Sequence, residues 1–133
     1  MIQGLISCVF PTHRGGRFVN ERLYELSKST YKNLEIILVE DGPVQPYIIP
    51  PELNIKVIKL AKNSGSVSIP RAVGLSYANG EFIAPTDDDV AILSNKFESL
   101  ISGIGDSYLS YGNRLEIYLP NTPKNNTSET ILD

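Results

Sequence analysis

Three consecutive aspartates, Asp87, Asp88 and Asp89, are the residues of this sequence that most directly indicate chemistry. Their carboxylates repel one another, so a fold that keeps them together needs a positive group to offset them. Mg²⁺ and Mn²⁺ suit that role, because they prefer oxygen ligands and take one or two carboxylates from a protein together with substrate phosphates. In an extended segment Asp87 and Asp89 point to one side and Asp88 to the other. We therefore expect Asp87 and Asp89 to hold a metal; an acidic turn before a helix is the alternative.

Three further polar clusters each follow an apolar run, at residues 11–14, 40–42 and 63–65. In the second cluster, Asp41 could accept hydrogen bonds from a base or a ribose, as acidic residues at such positions do in nucleotide-binding sheets. The alternative role of Asp41 is to form an Asp-Gly turn. Arg71 falls in the first turn of a predicted helix, where an anion would meet its guanidinium and free backbone N–H groups. The alternative for Arg71 is an ordinary surface pair with a neighbouring acid.

Alternating strands and helices are predicted to position these clusters. Apolar runs indicate four strands, the first three apolar on both faces: Leu5 to Phe10, Glu35 to Glu40, Ile55 to Leu60 and Glu81 to Pro85. Three helices are expected. The first has Phe18, Val19, Leu23 and Leu26 on its apolar face, and the second is capped by Ser68 and has an apolar stripe of Ala72, Leu75 and Ala78. The third is capped by Ser94, is closed by Gly103 and Gly105, and has four residues facing the core: Phe97, Leu100, Ile101 and Ile104. The class is α/β, with a mainly parallel sheet flanked by helices on both faces. Because ligands collect at the carboxyl ends of parallel strands, all four clusters should share one edge of the sheet.

Composition is that of a globular domain. The 133 residues are 41% hydrophobic and 20% charged, which fits one compact domain. A net charge of -3 without a run of Lys or Arg argues against nucleic acid as a partner. The beginning of the chain does not resemble a signal peptide and no stretch is long enough to span a membrane, so we expect a cytoplasmic protein. Cys8, the single cysteine, lies in an apolar run and is expected in the core.

Five segments, in this order, resemble the family 2 glycosyltransferases, the large inverting group with the GT-A fold. They are Ser7 to Arg14, Tyr31 to Gly42, Asn63 to Gly65, Pro70 to Leu75, and Gly80 to Ala84 before the three aspartates. The resemblance covers roughly residues 4 to 90. It implies a Rossmann-like GT-A nucleotide-binding half, a nucleotide-diphosphate sugar as donor, commonly UDP-linked, an unidentified glycosyl acceptor, and Mn²⁺ or Mg²⁺ as cofactor.

The resemblance also implies roles by position. Thr12 and Asp41 would meet the base, Arg71 the base or the diphosphate, Asp87 the ribose or the metal, and Asp89 the metal. No residue is nominated as the general base that inversion requires. Three more residues are expected to contact the nucleotide sugar: Pro11, Arg14 and Asp88.

We expect residues 1–119 to form the nucleotide-sugar-binding domain and residues 120–133 a flexible tail, with the acceptor half of the family truncated or absent. Two other functions stay open at this point. One is a nucleotide-sugar-binding module without catalysis. The other is a nucleotidyltransferase built on the same sheet, which needs a glycine-rich loop with Lys or Arg after the first strand, represented here only by Gly15-Gly16-Arg17. A homo-oligomer is compatible with either.

Overall fold

The computed structural model describes residues 1–112. Its sheet contains four parallel strands in the order β3-β2-β1-β4. The strands are β1 (Ile2–Thr12), β2 (Leu34–Asp41), β3 (Ile55–Leu60) and β4 (Gly80–Pro85), and the helices are α1 (Gly16–Ser27), α2 (Ser68–Ser76) and α3 (Lys96–Ile104). The predicted α/β class with a parallel sheet and alternating helices is confirmed.

The chain divides into two compact units, Met1–Glu98 and Ser99–Asp133. The first contains the whole sheet with α1 and α2, and the described part of the second contains the end of α3. The predicted boundary at residue 119 and the predicted tail at 120–133 lie outside the described residues. None of the helices between residues 1 and 112 is long and apolar enough to cross a membrane.

The two crossovers run in opposite directions across the sheet. Helix α1 leads from β1 to β2 on one side, whereas α2 leads from β3 back past β2 and β1 to β4 on the other edge. Since such connections are right-handed, they place α1 and α2 on opposite faces of the sheet. The direction of connection therefore reverses between β1 and β4, and ligands bind at this kind of switch point in open α/β sheets.

The two central strands form the core. In β1 the side chains of Cys8, Val9 and Phe10 are at most 1% exposed, and residues 36–39 of β2 are equally buried. Burial raises the pKa of the Cys8 thiol to about 11, so the predicted core cysteine is a neutral thiol at pH 7. The interpretation of β3 as apolar on both faces is wrong, because β3 is an edge strand whose Lys56 and Lys59 are exposed.

Helix α2 packs through a different face from the one predicted. Its buried residues are Pro70 and Gly74, whereas Ala72 and Leu75 of the predicted stripe are exposed. A Cβ at Gly74 would lie 2.5 Å from Val9 Cγ1 and 3.2 Å from Val39 Cγ2, so the missing side chain allows the helix to lie directly on β1 and β2. The close approach of Gly74 to the sheet, which a count of apolar residues does not detect, determines which face of α2 packs against the strands.

The predicted helix boundaries need smaller corrections. The N-cap of α2 is Val67, without a side-chain capping bond, so Ser68 is inside the helix. Helix α3 begins at Lys96, two residues after the predicted cap at Ser94, and includes Gly103. Of the four residues predicted to face the core from this helix, only Phe97 is buried, whereas Leu100, Ile101 and Ile104 are partly exposed. In α1 the predicted apolar face is confirmed for its three buried positions, Val19, Leu23 and Leu26.

One carboxylate ties the amino ends of β2 and β4 to the middle of β1. Glu35 at the start of β2 accepts hydrogen bonds from the Ser7 hydroxyl of β1 and from the Asn79 backbone N–H at 2.7 Å. The same Ser7 oxygen accepts the Gly80 N–H of β4 at 2.8 Å. Burial opposes the ionised form of Glu35, but these hydrogen bonds outweigh it and lower its pKa. These hydrogen bonds thus fix the sheet at the amino ends of β2 and β4, which are opposite the ends that carry the polar clusters.

We expect Gly74→Ala to destabilise the protein by about 1 to 3 kcal/mol, because its methyl group overlaps Val9 and overpacking has costs of this size. The matched control is Gly103→Ala, also within a helix, where the nearest atom to an added Cβ is Ser110 Oγ at 3.8 Å. That substitution should be neutral or stabilise by up to about 1 kcal/mol, since alanine favours helix. Urea denaturation followed by circular dichroism measures both; equal effects in the two variants would contradict the packing described for α2.

Candidate functional site

An open cleft of about 670 Å³ lies at the carboxyl ends of the strands. All four polar clusters contribute to it. The cleft is lined by residues 11–14 at the end of β1, by Asp41 at the end of β2 and by residues between 63 and 67 after β3. Pro70 and Arg71 of α2 and residues 87–89 after β4 complete the lining. The structure therefore brings together every residue that the sequence nominates for the site: Pro11, Thr12, Arg14, Asp41, Arg71, Asp87, Asp88 and Asp89.

Residues 87–89 form the acidic segment, and its middle aspartate, Asp88, is buried in the protein. Asp88 is 7% exposed and accepts a hydrogen bond of 2.8 Å from the Thr12 hydroxyl. Arg14 forms a two-pronged ion pair with the same carboxylate, with Nη2 on Oδ1 and Nε 3.3 Å from Oδ2. The hydrogen bond to Asp88 raises the pKa of the Arg14 guanidinium. Both oxygens of Asp88 are thus engaged by protein donors, and the carboxylate connects the loop after β1 to the loop after β4.

The backbone of the first loop is fixed by the same group. The Thr12 hydroxyl oxygen accepts the Gly15 N–H at 3.0 Å and the Arg14 N–H at 3.3 Å while its proton points to Asp88. The Arg14 guanidinium lies 3.7 Å above the ring of Phe18 in α1, a cation–π contact that limits where the side chain can move. Hydrogen bonds within the loop between β1 and α1 therefore fix its conformation in the absence of a ligand.

The two outer aspartates are open to the cleft. Asp87 is ion-paired with Arg71, with 45% of its side chain exposed. Asp89 has 64% of its side chain exposed, and Arg14 Nη2 lies 3.9 Å from its Oδ2. Within residues 1–112 no group of three or more His, Cys, Asp or Glu side chains has metal-binding geometry. A pair of accessible carboxylates is nevertheless the donor set that Mg²⁺ and Mn²⁺ take when phosphate oxygens complete the shell.

Arg71 combines an ion pair with a spare donor. Its Nη2 contacts Asp87 Oδ1, the surface pairing that the sequence left as an alternative. Its Nε is buried and has no hydrogen-bond partner among the described residues. Because a buried N–H without a partner is unfavourable, an acceptor oxygen from a ligand would be stabilised at this point.

Asp41 connects the loop after β2 to the loop after β3 through hydrogen bonds. Its Oδ1 accepts the Ser64 N–H and its Oδ2 accepts the Ser64 hydroxyl, both at 2.9 Å. Gly42 has a φ of +89° and a Cβ there would lie 2.5 Å from the Asn63 nitrogen, so the two loops touch. A carboxylate has about four acceptor positions, so Asp41 retains capacity for a ligand.

A second carboxylate at the end of β2 fixes the loop that follows it. Glu40, which is 6% exposed, accepts a hydrogen bond from the Tyr47 hydroxyl, and Lys59 Nζ lies 3.7 Å away. Burial and the negative Glu40 raise the pKa of Tyr47, which stays protonated. The loop also forms a smaller cleft of about 440 Å³ with His13, Arg17 and neighbouring residues. His13 itself is exposed.

Two residues of α1 that the sequence analysis missed contact the acidic segment from behind. Arg22 donates to the Asp88 carbonyl oxygen at 3.3 Å, and Glu25 accepts the Ile92 N–H at 2.8 Å. A signal was present, because Arg22 falls between Val19 and Leu26 on the buried face of the helix, where an arginine requires polar partners.

Comparison with known proteins gives the family. The model of the family described as Glycosyl transferase family 2 matches residues 7–131. Glycosyltransferase GlyG of Streptococcus pneumoniae serotype 4 is 31% identical over 102 residues, which is 72% of this chain and 34% of GlyG. Poly(ribitol-phosphate) beta-N-acetylglucosaminyltransferase TarS of Staphylococcus aureus is 32% identical over 90 residues, 62% of this chain and 16% of TarS.

Solved structures agree with the sequence comparison. The crystal structure of S. aureus TarS superposes with a TM-score of 0.67 at 28% identity, covering 74% of this chain and 19% of TarS. TarS 1-349 in complex with UDP-GlcNAc gives a TM-score of 0.64 at 26% identity, covering 74% of this chain and 30% of that chain. The chain thus spans about a third of GlyG and a sixth of TarS.

The contacts of the acidic segment predict that neighbouring aspartates differ in their effect on stability. We expect Asp88→Ala to lower the free energy of unfolding by about 1 to 3 kcal/mol, since it leaves Thr12 and Arg14 without their acceptor. Asp89→Ala, the matched control one residue away, should change it by less than about 0.5 kcal/mol because that side chain is mostly exposed. Urea denaturation of both variants checks this. A stable Asp88→Ala protein would mean that the carboxylate does not connect the two loops.

Proposed function

Because this chain belongs to glycosyl transferase family 2, we propose that it carries the donor site of a glycosyltransferase, which binds a nucleotide-diphosphate sugar and transfers the sugar to an acceptor. The observation that supports this most is the convergence of Asp41, Arg71, Asp87 and Asp89 on one cleft at the switch point between β1 and β4. UDP is the proposed nucleotide, since TarS 1-349 has been crystallised with UDP-GlcNAc and matches 74% of this chain.

Each side of the cleft suits one part of such a donor. Asp41 and the loop of Pro11 and Thr12 would contact the base, where Asp41 has acceptor capacity left beyond Ser64. Arg71 would meet the diphosphate through its unpaired Nε, close to the first turn of α2, where backbone N–H groups also favour an anion. The nucleotide would thus lie across the ends of β2, β1 and β4.

The acidic segment would hold the metal. Asp89 is the more open carboxylate, and Asp87, which Arg71 already neutralises in part, would add a second oxygen or meet the ribose. When bound there, Mn²⁺ or Mg²⁺ would offset the negative charge that develops on the leaving diphosphate. Asp88 and Arg14 would contribute mainly by fixing the segment, because their charged groups bind each other.

Transfer with inversion would further require a base that deprotonates the acceptor hydroxyl. The acceptor named for TarS, poly(ribitol-phosphate), belongs to a protein of which this chain spans 16%, so we do not extend it to this chain. The alternative function is a nucleotide-sugar-binding module that performs no transfer. Release of UDP from UDP-GlcNAc with Mn²⁺, measured with and without candidate acceptors, separates the two: binding without any release would favour the module.

Metal-dependent nucleotide binding is the direct test. We expect the chain to bind UDP more tightly with Mn²⁺ than without it, and Asp89→Asn to weaken the Mn²⁺-dependent binding by about tenfold or more, the loss expected for one contact to a charged group. Binding of UDP without metal should not change in the variant. Isothermal titration calorimetry measures all four dissociation constants.

The control for this experiment is Glu52→Gln, which removes one negative charge from an exposed residue that does not line the cleft. It should bind UDP as the unmodified chain does under both conditions. An Asp89→Asn variant with the affinity of the unmodified chain in Mn²⁺ would rule out a metal role for Asp89.

A further inference from the structure

The segment that presents Asp89 has no regular structure of its own. It follows the last residue of β4, Pro85, and residues 86–95 form neither strand nor helix before α3 begins at Lys96. Ladder hydrogen bonds therefore do not determine where the exposed Asp89 carboxylate lies. Contacts with other parts of the fold must therefore fix the position of Asp89. The contacts of the Asp88 carboxylate with Thr12 and Arg14 fix only the residue immediately before it.

Two side chains of α1 hold this segment on both sides of Asp89. Arg22 Nη1 donates to the carbonyl oxygen of Asp88 at 3.3 Å, and Glu25 Oε2 accepts the backbone N–H of Ile92 at 2.8 Å. The side chain of Ile92 is itself buried, at 4% exposure, so the far end of the segment is fixed by packing as well. The two bonds bracket residues 89–91, the three residues that include Asp89.

Arg22 and Glu25 also fix each other. Arg22 Nη2 donates to Glu25 Oε1 at 2.8 Å, and Nε lies 2.7 Å from Oε2 as an ion pair without hydrogen-bond geometry. They are three residues apart on one helix, so they share one face. Their side chains are only 8% and 25% exposed, and charged groups at this depth are retained when hydrogen bonds satisfy them. The pair therefore has few alternative arrangements.

Neither residue lines either cleft, so neither would touch a ligand in it. We propose that the Arg22–Glu25 pair of α1 is a positioning element that fixes the Asp88–Ile92 segment so that Asp89 meets the metal and the diphosphate. This inference rests on the proposed function for the role of Asp89. It assigns to α1, a helix that connects two strands, the task of setting the geometry of the metal site.

The test compares Glu25→Ala with Glu25→Gln. Glu25→Ala removes the acceptor of the Ile92 N–H, whereas the amide oxygen of Glu25→Gln can still accept it. We expect Glu25→Ala to weaken Mn²⁺-dependent UDP binding by about tenfold, the scale for losing a group that orients a metal ligand. Metal-free UDP binding should stay unchanged. Glu25→Gln keeps an acceptor for the Ile92 N–H but places an NH2 group against Arg22, so it should recover part of the lost affinity. Calorimetry gives the affinities, and hydrogen exchange of residues 88–92 in the ligand-free protein should be faster in Glu25→Ala only.

Two controls separate positioning from general destabilisation. Glu21→Ala removes the same charge from the same helix, but Glu21 contacts Arg22 at 3.5 Å from a largely exposed position. Glu35→Ala removes the carboxylate that ties β2 to β1 and β4 on the side of the sheet away from the cleft, and so destabilises the fold without touching a residue of the site. Both should retain Mn²⁺-dependent UDP affinity and slow exchange of residues 88–92.

The outcomes decide between the claims. Unchanged affinity or unchanged exchange in Glu25→Ala overturns the positioning role while the proposed function stands, and so does an equal loss in Glu21→Ala or Glu35→Ala. If the unmodified chain itself binds UDP no more tightly with Mn²⁺, the proposed function fails, and the inference about Asp89 fails with it.

Discussion

The site depends on one buried carboxylate. Asp88, in the loop after β4, accepts the Thr12 hydroxyl and the Arg14 guanidinium, which belong to the end of the adjacent strand β1 and the loop that follows it. Beyond the ends of the strands, the ladder hydrogen bonds of the sheet no longer hold these two loops together. The Asp88 contacts supply that connection. Because a buried charge without partners is costly, the two loops are held at a fixed separation as long as the protein is folded.

The mutual repulsion of three adjacent aspartates is relieved by dividing them among different environments. Asp88 is neutralised by Arg14 in the interior, and Asp87 by Arg71 at the wall of the cleft. Within residues 1–112, the ion pairing of Asp89 is limited to a contact of 3.9 Å with Arg14. The sequence correctly indicated that positive charge must accompany this cluster, but two of the charges come from the chain's own arginines. A metal is therefore not needed for folding, and its attraction would concentrate on the outermost carboxylate.

The fold was predictable from the sequence because its signals are local. The central strands β1 and β2, the buried positions of α1 and the gathering of four polar clusters at one edge all follow from apolar runs and from the rule for parallel sheets. The failures have long-range causes. Gly74 decides how α2 lies because of Val9, a residue 65 positions away, and β3 is an edge strand because of the strand order, which apolar patterning does not contain. The partners of Asp88 and the contacts of Arg22 likewise depend on packing between distant segments, although a charged residue on the apolar face of α1 was a visible sign that such contacts exist.

Different atoms of the same short segment face the protein and the cleft. The backbone of Asp88 and Ile92 and the side chain of Asp88 face protein partners, while the side chains of Asp87 and Asp89 are left for the cleft. This division lets the segment be irregular without being loosely held, since each fixed point is a hydrogen bond to a side chain that the core immobilises. Helix α1 supplies such points because it begins shortly after Thr12 and its second and third turns contact the segment through Arg22 and Glu25. Its buried face therefore serves both the core, through Leu23 and Leu26, and the geometry of the site, through Arg22.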